Sequence, residues 1–315
     1  MRLDESSACR LCPRECGADR AGGRKGYCGT DDRVMVARAA LHRWEEPCIS
    51  GTNGSGAVFF CGCPLHCVYC QNRVISGGNG GTAVTVPELA KIFLNLQAEN
   101  AHNINLVTAG HYTPQAAEAV RLAKAGGLTI PVVWNSSGYE KAETLRMLEG
   151  LVDIWLPDFK YMDPALAERL SHAPDYPVVA KAALAEMVRQ AERPAEKENE
   201  ADPALFTDDG LMRRGVIVRH LLLPGHVKQS KQVVEYLLLT YGNRIRISLM
   251  SQYTPMPAVA DDPLLSRRVT RREYERLVGY ALDLGLESGF IQERDVAKES
   301  FIPAFDGTGI VHTGE

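Results

Sequence analysis

The chain has 315 residues, 45% of them apolar and 23% charged, a balance that excludes disordered, collagen-like and coiled-coil architectures and is ample for one large domain or two small ones. Lys and Arg number 35 against 39 Asp and Glu, a net charge of −4, so composition gives no basis for binding nucleic acid or an anionic membrane surface. All nine cysteines (positions 9, 12, 16, 28, 48, 61, 63, 67 and 70) fall in the first 70 residues, and an odd count so crowded reads as metal ligation rather than as a disulfide scaffold. The opening MRLDESSACR lacks the apolar region of a signal peptide, and no window approaches the roughly 18 consecutive apolar residues of a membrane span. The expected compartment is a reducing cytoplasm.

In chain order, residues 1–55 are rich in Cys, Gly and Arg and carry one strand-like run, Val34 to Ala39; they predict a small, metal-stapled N-terminal lobe. Residues 56–315 alternate short apolar runs with helical periods, the signature of βα units on a parallel sheet. The strand-like runs are Ala57 to Phe60, Ile104 to Val107, Pro131 to Trp134, Val152 to Leu156, Val216 to Leu222 and Ile245 to Met250. Between the first two, Thr85 and Glu88 form a capping-box pattern ahead of Leu89, Ile92, Phe93 and Leu96, which repeat as one buried helix face. A helix is expected at about Val178 to Gln190, and a late one after Thr270 with Tyr274, Leu277, Val278, Ala281 and Leu284 as its stripe. Residues 191–215 interrupt the alternation. From Glu192 to Asp209 they carry seven acidic and two basic residues, and they read as an acidic surface insertion, with a substrate lid or docking loop as the alternative. Six βα units define either a partial (β/α) barrel or a doubly wound open sheet.

The first predicted strand runs directly into Cys63-Pro-Leu-His-Cys67-Val-Tyr-Cys70. Three thiolates in so short a loop suit an iron–sulfur cluster or zinc. The count has a consequence: a cubane cluster has four irons, so three protein thiolates leave one iron open to substrate or cofactor. The competing zinc loop needs a fourth ligand, for which His66 or Cys61 is near in sequence. Cys61 reads as a small buried group near the cluster, or as a fourth thiolate capping the open iron.

The CxxxCxΦC pattern, with Tyr69 before the third cysteine and a strand ahead of the first, resembles the cluster motif of the radical S-adenosylmethionine superfamily. FFCGCPLHCVYCQN, LVTAGHYTP, VVWNSSGYE, VDIWLPDFKY, VRHLLLPG, ISLMSQYTP, GFIQ and ESFIPAFDG are similar, in order, to the branch related to pyruvate formate-lyase activating enzymes. The resemblance implies an α/β fold, a partial (β/α)6 TIM-like barrel preceded by the small cysteine-rich lobe. It implies a [4Fe-4S] cluster on Cys63, Cys67 and Cys70, with S-adenosyl-L-methionine on the open iron. Reductive cleavage would give methionine and a 5′-deoxyadenosyl radical that abstracts hydrogen. Tyr69 would lie against the adenine.

Side chains at the other strand ends are expected to line the site. Many superfamily members carry a GGE motif after the second strand; here Thr108-Ala109-Gly110-His111 has no Glu, and backbone carbonyls of Ala109 and Gly110 are the candidate acceptors for the methionine amino group. Asn135 and Ser136 suit the cofactor ribose or carboxylate, or else cap a turn. Asp158 and Lys160 resemble the DxK segment of glycyl-radical activases and are expected to pair or to touch the ligand if both point inward. Arg219 is preferred over His220 as a carboxylate anchor, because adjacent strand residues face opposite sides and a guanidinium fork fits a carboxylate. Met250 and Gln252 would close the site. No side chain is assigned a catalytic step.

Cys9, Cys12, Cys16 and Cys28 make a closed set of four, fit for structural zinc or a second [4Fe-4S] cluster, while Cys48 is isolated and not a ligand. The functional expectation is a radical S-adenosylmethionine enzyme reduced by a ferredoxin- or flavodoxin-type partner and activating a glycyl radical protein. The alternative is direct action on a small molecule or peptide. A third reading, a non-catalytic zinc or iron–sulfur adaptor, leaves the open coordination position without a use.

Overall fold

The computed structural model describes residues 8–192, 204–287, 289–291 and 303–310. Strand β1 (Val34–His42) leads through the short helix α1 (Pro47–Ser50) to β2 (Ser55–Phe60), and α2 (Arg73–Ser76) precedes β3 (Thr82–Val84). Helix α3 (Val86–Ala98), β4 (Ile104–Val107), α4 (Thr113–Ala125), β5 (Val132–Ser136), α5 (Ala142–Leu145), β6 (Ile154–Pro157), α6 (Pro164–Ser171) and α7 (Tyr176–Ala191) come next along the chain. Beyond residue 203 lie β7 (Leu205–Phe206), β8 (Met212–Leu221), α8 (Val227–Tyr241), β9 (Arg246–Met250), α9 (Arg271–Asp283) and β10 (Gly289–Ile291).

These strands form one open sheet in the order β10-β9-β8-β6-β5-β4-β2-β1-β3, with β7 paired to β8. From β2 to β10 all neighbours are parallel, whereas β1 and β3 add an antiparallel edge. The six predicted runs are six successive parallel strands, β2, β4, β5, β6, β8 and β9. Spatial order matches chain order because each parallel connection needs a crossover, and helices supply most of them. Helix α3 starts where the sequence places it: the Thr85 side chain accepts from Glu88 N–H and the Glu88 carboxylate returns to Thr85 N–H, while Leu89, Ile92, Phe93 and Leu96 are buried. The α9 stripe is only partly buried, with Leu277 and Ala281 inside.

Alternation along the strands separates two layers. Val132, Trp134 and Trp155 join the large core under the helices, with Trp134 and Trp155 side by side across β5 and β6. Val133, Ile154, Leu156 and Ile217 face the other way and pack with Met212 and with Cys48 and Ile49 of α1. Helix α1 thus plugs one end of the concave face. Cys48 is buried in that apolar plug, where burial pushes its thiol up to about 12. Next along the same face the strands present Asn105, Asn135, Asp158 and Arg219, so the concave side turns polar toward the carboxyl ends of the strands.

Strand β1, grouped by sequence with the lobe, pairs with β2 from Val36 to His42. Its other edge pairs with β3 over Val34 to Val36 and is then covered by residues 306–308: Gly307 N–H donates to Ala37 O, Ala39 N–H donates to Thr308 O, and Arg38 pairs with Asp306 at 2.9 Å. Of the acidic stretch 191–215, residues 193–203 lie outside the described residues; its C-terminal part forms β7, hairpinned onto the start of β8. The ESFI of the ESFIPAFDG segment and Gln292 of GFIQ likewise lie outside them. Among the described residues no helix is long and apolar enough to cross a membrane.

Candidate active site

Strand β2 ends at Phe60, and Gly62 turns the chain into the cysteine loop at φ +90°. A Cβ there would stand 2.7 Å from the Cys28 carbonyl oxygen and 2.9 Å from His111 Nε2, so both the conformation and the contact require glycine. The loop is pinned by backbone bonds: Cys63 N–H to Cys28 O at 3.1 Å, Val68 N–H to Leu170 O at 2.9 Å and Cys70 N–H to Cys67 O at 3.1 Å. His66 turns toward the N-terminal lobe, its Nε2 2.8 Å from Tyr27 O. Cys61 is buried away from solvent and its thiol donates to Gly80 O at 3.4 Å. Neither of the two candidate fourth ligands is committed to the loop.

Burial, together with repulsion from Cys67 and Cys70, pushes the Cys63 thiol up to about 12, and burial with Cys67 pushes Cys70 up to about 11. Cys63 and Cys70 are thus raised by burial and by neighbouring cysteines, and a cation bound between the sulfurs would favour their thiolates. Among the described residues no three Cys, His, Asp or Glu are drawn together as a ready-made shell for a single metal ion. A cubane cluster asks for less: each thiolate takes its own iron, so the sulfurs stay further apart. The donor set fits such a cluster.

Beside the loop lies a cavity of about 260 Å³ whose walls include Cys67, Tyr69, Cys70, Asn135, Asp158, Lys160, Arg219, Met250 and Gln252. The predicted site residues among them come from several different elements, and Met250 and Gln252 stand where the sequence puts them. On its floor Arg219 Nε donates to Asp158 Oδ1 at 3.0 Å and Nη1 to Glu45 Oε2 at 3.1 Å, and Nη2 donates to Asn135 Oδ1. Lys160 Nζ donates to Asp158 Oδ2 at 2.6 Å. Burial alone would raise the Asp158 carboxyl, but Lys160 and Arg219 hold it below the ordinary carboxylate range. Burial wins at Glu45, whose carboxyl is raised despite Arg219. Tyr69 presents its ring to the cavity while its hydroxyl meets Tyr161 OH at 2.7 Å.

Ala109, Gly110 and Ser136 are not brought to this cavity. The Ala109 carbonyl accepts from Tyr112 N–H at 2.8 Å and the Gly110 carbonyl from Thr113 Oγ1 at 2.8 Å. Ser136 is next to Asn135 in β5 and therefore faces the opposite side, where its hydroxyl donates to Glu140 at 2.6 Å and accepts from Gly138 N–H. Gly110 and Ser136 line a much smaller recess with Cys12 and Pro64. Glu140 also takes the Trp134 indole N–H at 2.8 Å. A Cβ on Gly110 would stand 2.8 Å from that carboxylate, so an acidic group absent from the 108–111 segment reaches its flank from the next loop. His220 is fully buried with Nδ1 2.7 Å from Phe159 O, on the helix side of β8.

The sequence reading missed Glu45. It lies in the connection between β1 and α1 and accepts from both Asn105 (3.0 Å) and Asn135 (3.2 Å) as well as from Arg219. No periodicity marks such a residue. A signal was present in the inward Asn and Arg positions of three strands, which together demand a buried acceptor.

The N-terminal thiols also converge. The Cys12 thiol is raised to about 11 by burial and by Cys28, Cys9 and Cys16, and a Cβ on Gly26 would lie 3.3 Å from Cys16 Sγ and 3.5 Å from Cys28 Sγ. Turns such as Glu15 N–H to Cys12 O and Gly29 N–H to Gly26 O present them. The same lobe holds the cysteine loop. Arg14 Nε donates to Pro64 O at 2.8 Å and Nη2 to Ser171 O at 2.9 Å, its guanidinium lying over the rings of Tyr27 and Tyr139.

Residues 50–162 match the family described as a 4Fe-4S single cluster domain. The matched segment contains the strand-borne three-cysteine loop beside the cavity of the open parallel sheet, so this part of the chain is similar to domains that hold a single four-iron cluster. Over 287 residues the chain is 28% identical to a protein of Methanocaldococcus jannaschii described as uncharacterized, covering 89% of this chain and 75% of that one. Solved structures similar to it include a domain of a pyruvate-formate lyase-activating enzyme from Bacteroides vulgatus (16% identity, 58% of this chain and 92% of that one, TM-score 0.38). Another is Streptococcus suis SuiB bound to its precursor peptide SuiA (10% identity, 73% and 46%, TM-score 0.44).

Proposed function

We propose that the chain activates a glycyl radical protein, abstracting hydrogen from a glycine that a partner segment brings to the cavity. When bound, the cluster and S-adenosylmethionine supply the abstracting radical. Cys63, Cys67 and Cys70 would hold the cluster, Tyr69 would flank the adenine, and Asn135, Asp158, Lys160 and Arg219 would face the polar end of the cofactor. The observation that carries the reading is the shape of the space. The cavity of about 260 Å³ is continuous, at His42, Trp44, Phe59 and Pro303, with a second open recess of about 120 Å³ beside β1. Such an open recess suits an extended segment of a partner better than a substrate enclosed whole.

In this reading the reductant is a ferredoxin- or flavodoxin-type protein in the cytoplasm, and Cys9, Cys12, Cys16 and Cys28 hold a structural zinc or a second cluster. Metal analysis of anaerobically purified protein separates the last two: about four irons and one zinc per chain, or about eight irons.

The test is reduction of reconstituted protein with S-adenosylmethionine. Formation of 5′-deoxyadenosine, abolished in the Cys63→Ala/Cys67→Ala/Cys70→Ala variant, is the expected outcome, and product formation undiminished in that variant would sink the ligand assignment. With a candidate partner, a glycyl doublet in the electron spin resonance spectrum is expected. Turnover of a free small molecule with no partner radical would favour direct action instead.

A further inference from the structure

Three hydroxyls outside the ligand set form a buried chain that ends on one cluster cysteine. Ser171, the last residue of α6, has its Oγ 3.1 Å from Cys67 Sγ. Tyr161 OH lies 2.7 Å from Ser171 Oγ, and Tyr69 OH lies 2.7 Å from Tyr161 OH. Ser171 and Tyr161 are fully buried and Tyr69 nearly so. Each hydroxyl has one proton, and a thiolate sulfur only accepts. Once Cys67 is a thiolate, Ser171 must donate to it, accept from Tyr161, and leave Tyr161 to accept from Tyr69. All three bonds then point toward the sulfur, and in a low-dielectric interior each strengthens the next. The donor's seat is fixed: Arg14 holds the Ser171 carbonyl at 2.9 Å, and Val68, next to Cys67, donates its N–H to Leu170 O at 2.9 Å.

We propose that Ser171 is a positioning residue that sets the reduction potential of the cluster through the hydrogen bond it donates to Cys67, with Tyr161 and Tyr69 reinforcing that bond. The inference rests on the reading of Cys63, Cys67 and Cys70 as cluster ligands. A hydrogen bond to a ligand sulfur stabilises the more electron-rich, reduced cluster over the oxidised one, and so raises the potential at which the cluster accepts one electron from a ferredoxin- or flavodoxin-type carrier. No bond is made or broken in that step. Cys63 Sγ accepts from Leu65 N–H at 3.4 Å, a backbone contact that side-chain substitution leaves in place, whereas the Cys67 donor is a side chain and can be removed.

Reconstituted protein is titrated electrochemically, following the spin resonance signal of the reduced cluster, with iron and sulfide measured on every sample. Ser171→Ala is expected to shift the midpoint to a more negative value at full iron content, by up to a tenfold change in the reduction equilibrium, about 59 mV for one electron. Ser171→Thr keeps the hydroxyl and restores the wild-type midpoint. Tyr161→Phe keeps the ring, removes the middle of the chain and gives a smaller negative shift. Wild-type midpoints in both Ser171→Ala and Tyr161→Phe at full iron content overturn the proposal. Where Ser171→Ala does not retain iron, Tyr161→Phe decides alone: a negative shift supports the proposal and an unchanged midpoint overturns it. Wild-type protein that takes up no four-iron cluster overturns the ligand reading instead, an outcome distinct from both.

Discussion

The backbone N–H of Cys63 donates to the backbone carbonyl of Cys28 across 3.1 Å, so the first cysteine of the loop and the last of the N-terminal four are joined backbone to backbone by one hydrogen bond. Around that bond Arg14 reaches Pro64 and Ser171, Tyr27 O meets His66, and Gly29 and Gly78 press backbone to backbone so closely that a Cβ on either would fall 2.3 Å from a carbonyl oxygen of the other segment. The lobe is a clamp on the loop. Arg14→Ala removes a charged donor from buried carbonyls and is expected to lower stability by about 2–3 kcal/mol. It should also speed loss of cluster iron to a chelator several-fold while leaving the N-terminal metal in place. Chelation at the wild-type rate would show that the clamp has no grip on the cluster.

Lys160 and Arg219 share Asp158 but stand in different situations. Every guanidinium nitrogen of Arg219 has a protein acceptor, in Asp158, Glu45 and Asn135. Lys160 gives one of its three protons to Asp158 and faces the cavity with the rest. Arg219→Gln is therefore expected to act mainly on folding, by about 2–3 kcal/mol, because it strands Glu45 and weakens the hold on Asp158. Lys160→Gln is expected to act mainly on ligand affinity, weakening S-adenosylmethionine binding by about tenfold, or about 1.4 kcal/mol. Calorimetric titration and denaturant unfolding of cluster-loaded variants measure the two effects, and the opposite ranking would return the anchoring role to Arg219.

Much of this was legible from the residues. The six apolar runs are the parallel strands, since a strand covered on both faces must be apolar throughout, and the loop Cys63–Cys70 lies inside the segment that matches a 4Fe-4S single cluster domain. Inward Arg219 and outward His220 came from alternation alone. Other features were hidden for physical reasons. Alternation also separates Asn135 from Ser136, but a polar tripeptide after a strand does not reveal where the strand ends. Ala109 and Gly110 were expected to offer carbonyls to a ligand, yet a 3₁₀ turn at Gly110–Tyr112 and the Thr113 hydroxyl take those carbonyls. Glu45, Tyr161 and Ser171 reach the site only through tertiary packing.

His220 gives the pH dependence a specific source. Fully buried on the helix side of β8, it is kept neutral by burial, its pKa lowered to about 4 from an ordinary value near 6.5. A base whose folded pKa is depressed binds its proton more readily in the unfolded chain, so the native state loses stability as pH falls from about 6.5 toward about 4. The full effect is on the order of 3 kcal/mol. His220→Asn retains a donor for the Phe159 carbonyl and has no proton to take up. Its unfolding midpoint should fall less steeply over that window, and parallel pH profiles for variant and wild type would place the acid sensitivity elsewhere.

Glu273 carries an acid-sensitive contribution of the opposite chemical kind, far from the cavity. Its carboxylate closes the α9 capping box, accepting from Thr270 N–H and hydroxyl at 2.8 Å each, and also takes Gly225 N–H at 2.7 Å and both ends of the Arg267 fork at 2.8 and 2.9 Å. The Arg267 hydrogen bonds, against a modest cost of burial, hold the carboxyl far below its ordinary range. Because the folded pKa is depressed, this stabilisation is complete above about 4.5 and is lost as pH falls below it, a window lower than that of His220. Glu273→Gln keeps the shape of the cap but gives up the charge that draws Arg267 and the two backbone donors together. It should cost about 1–2 kcal/mol at neutral pH and leave 5′-deoxyadenosine formation unchanged. Since Gly225 begins the turn into α8 and Thr270 begins α9, the loss should appear first as faster amide exchange at those two helix starts. Exchange that quickens uniformly along the chain would mean that the carboxylate stabilises the whole fold rather than the joint between two helices.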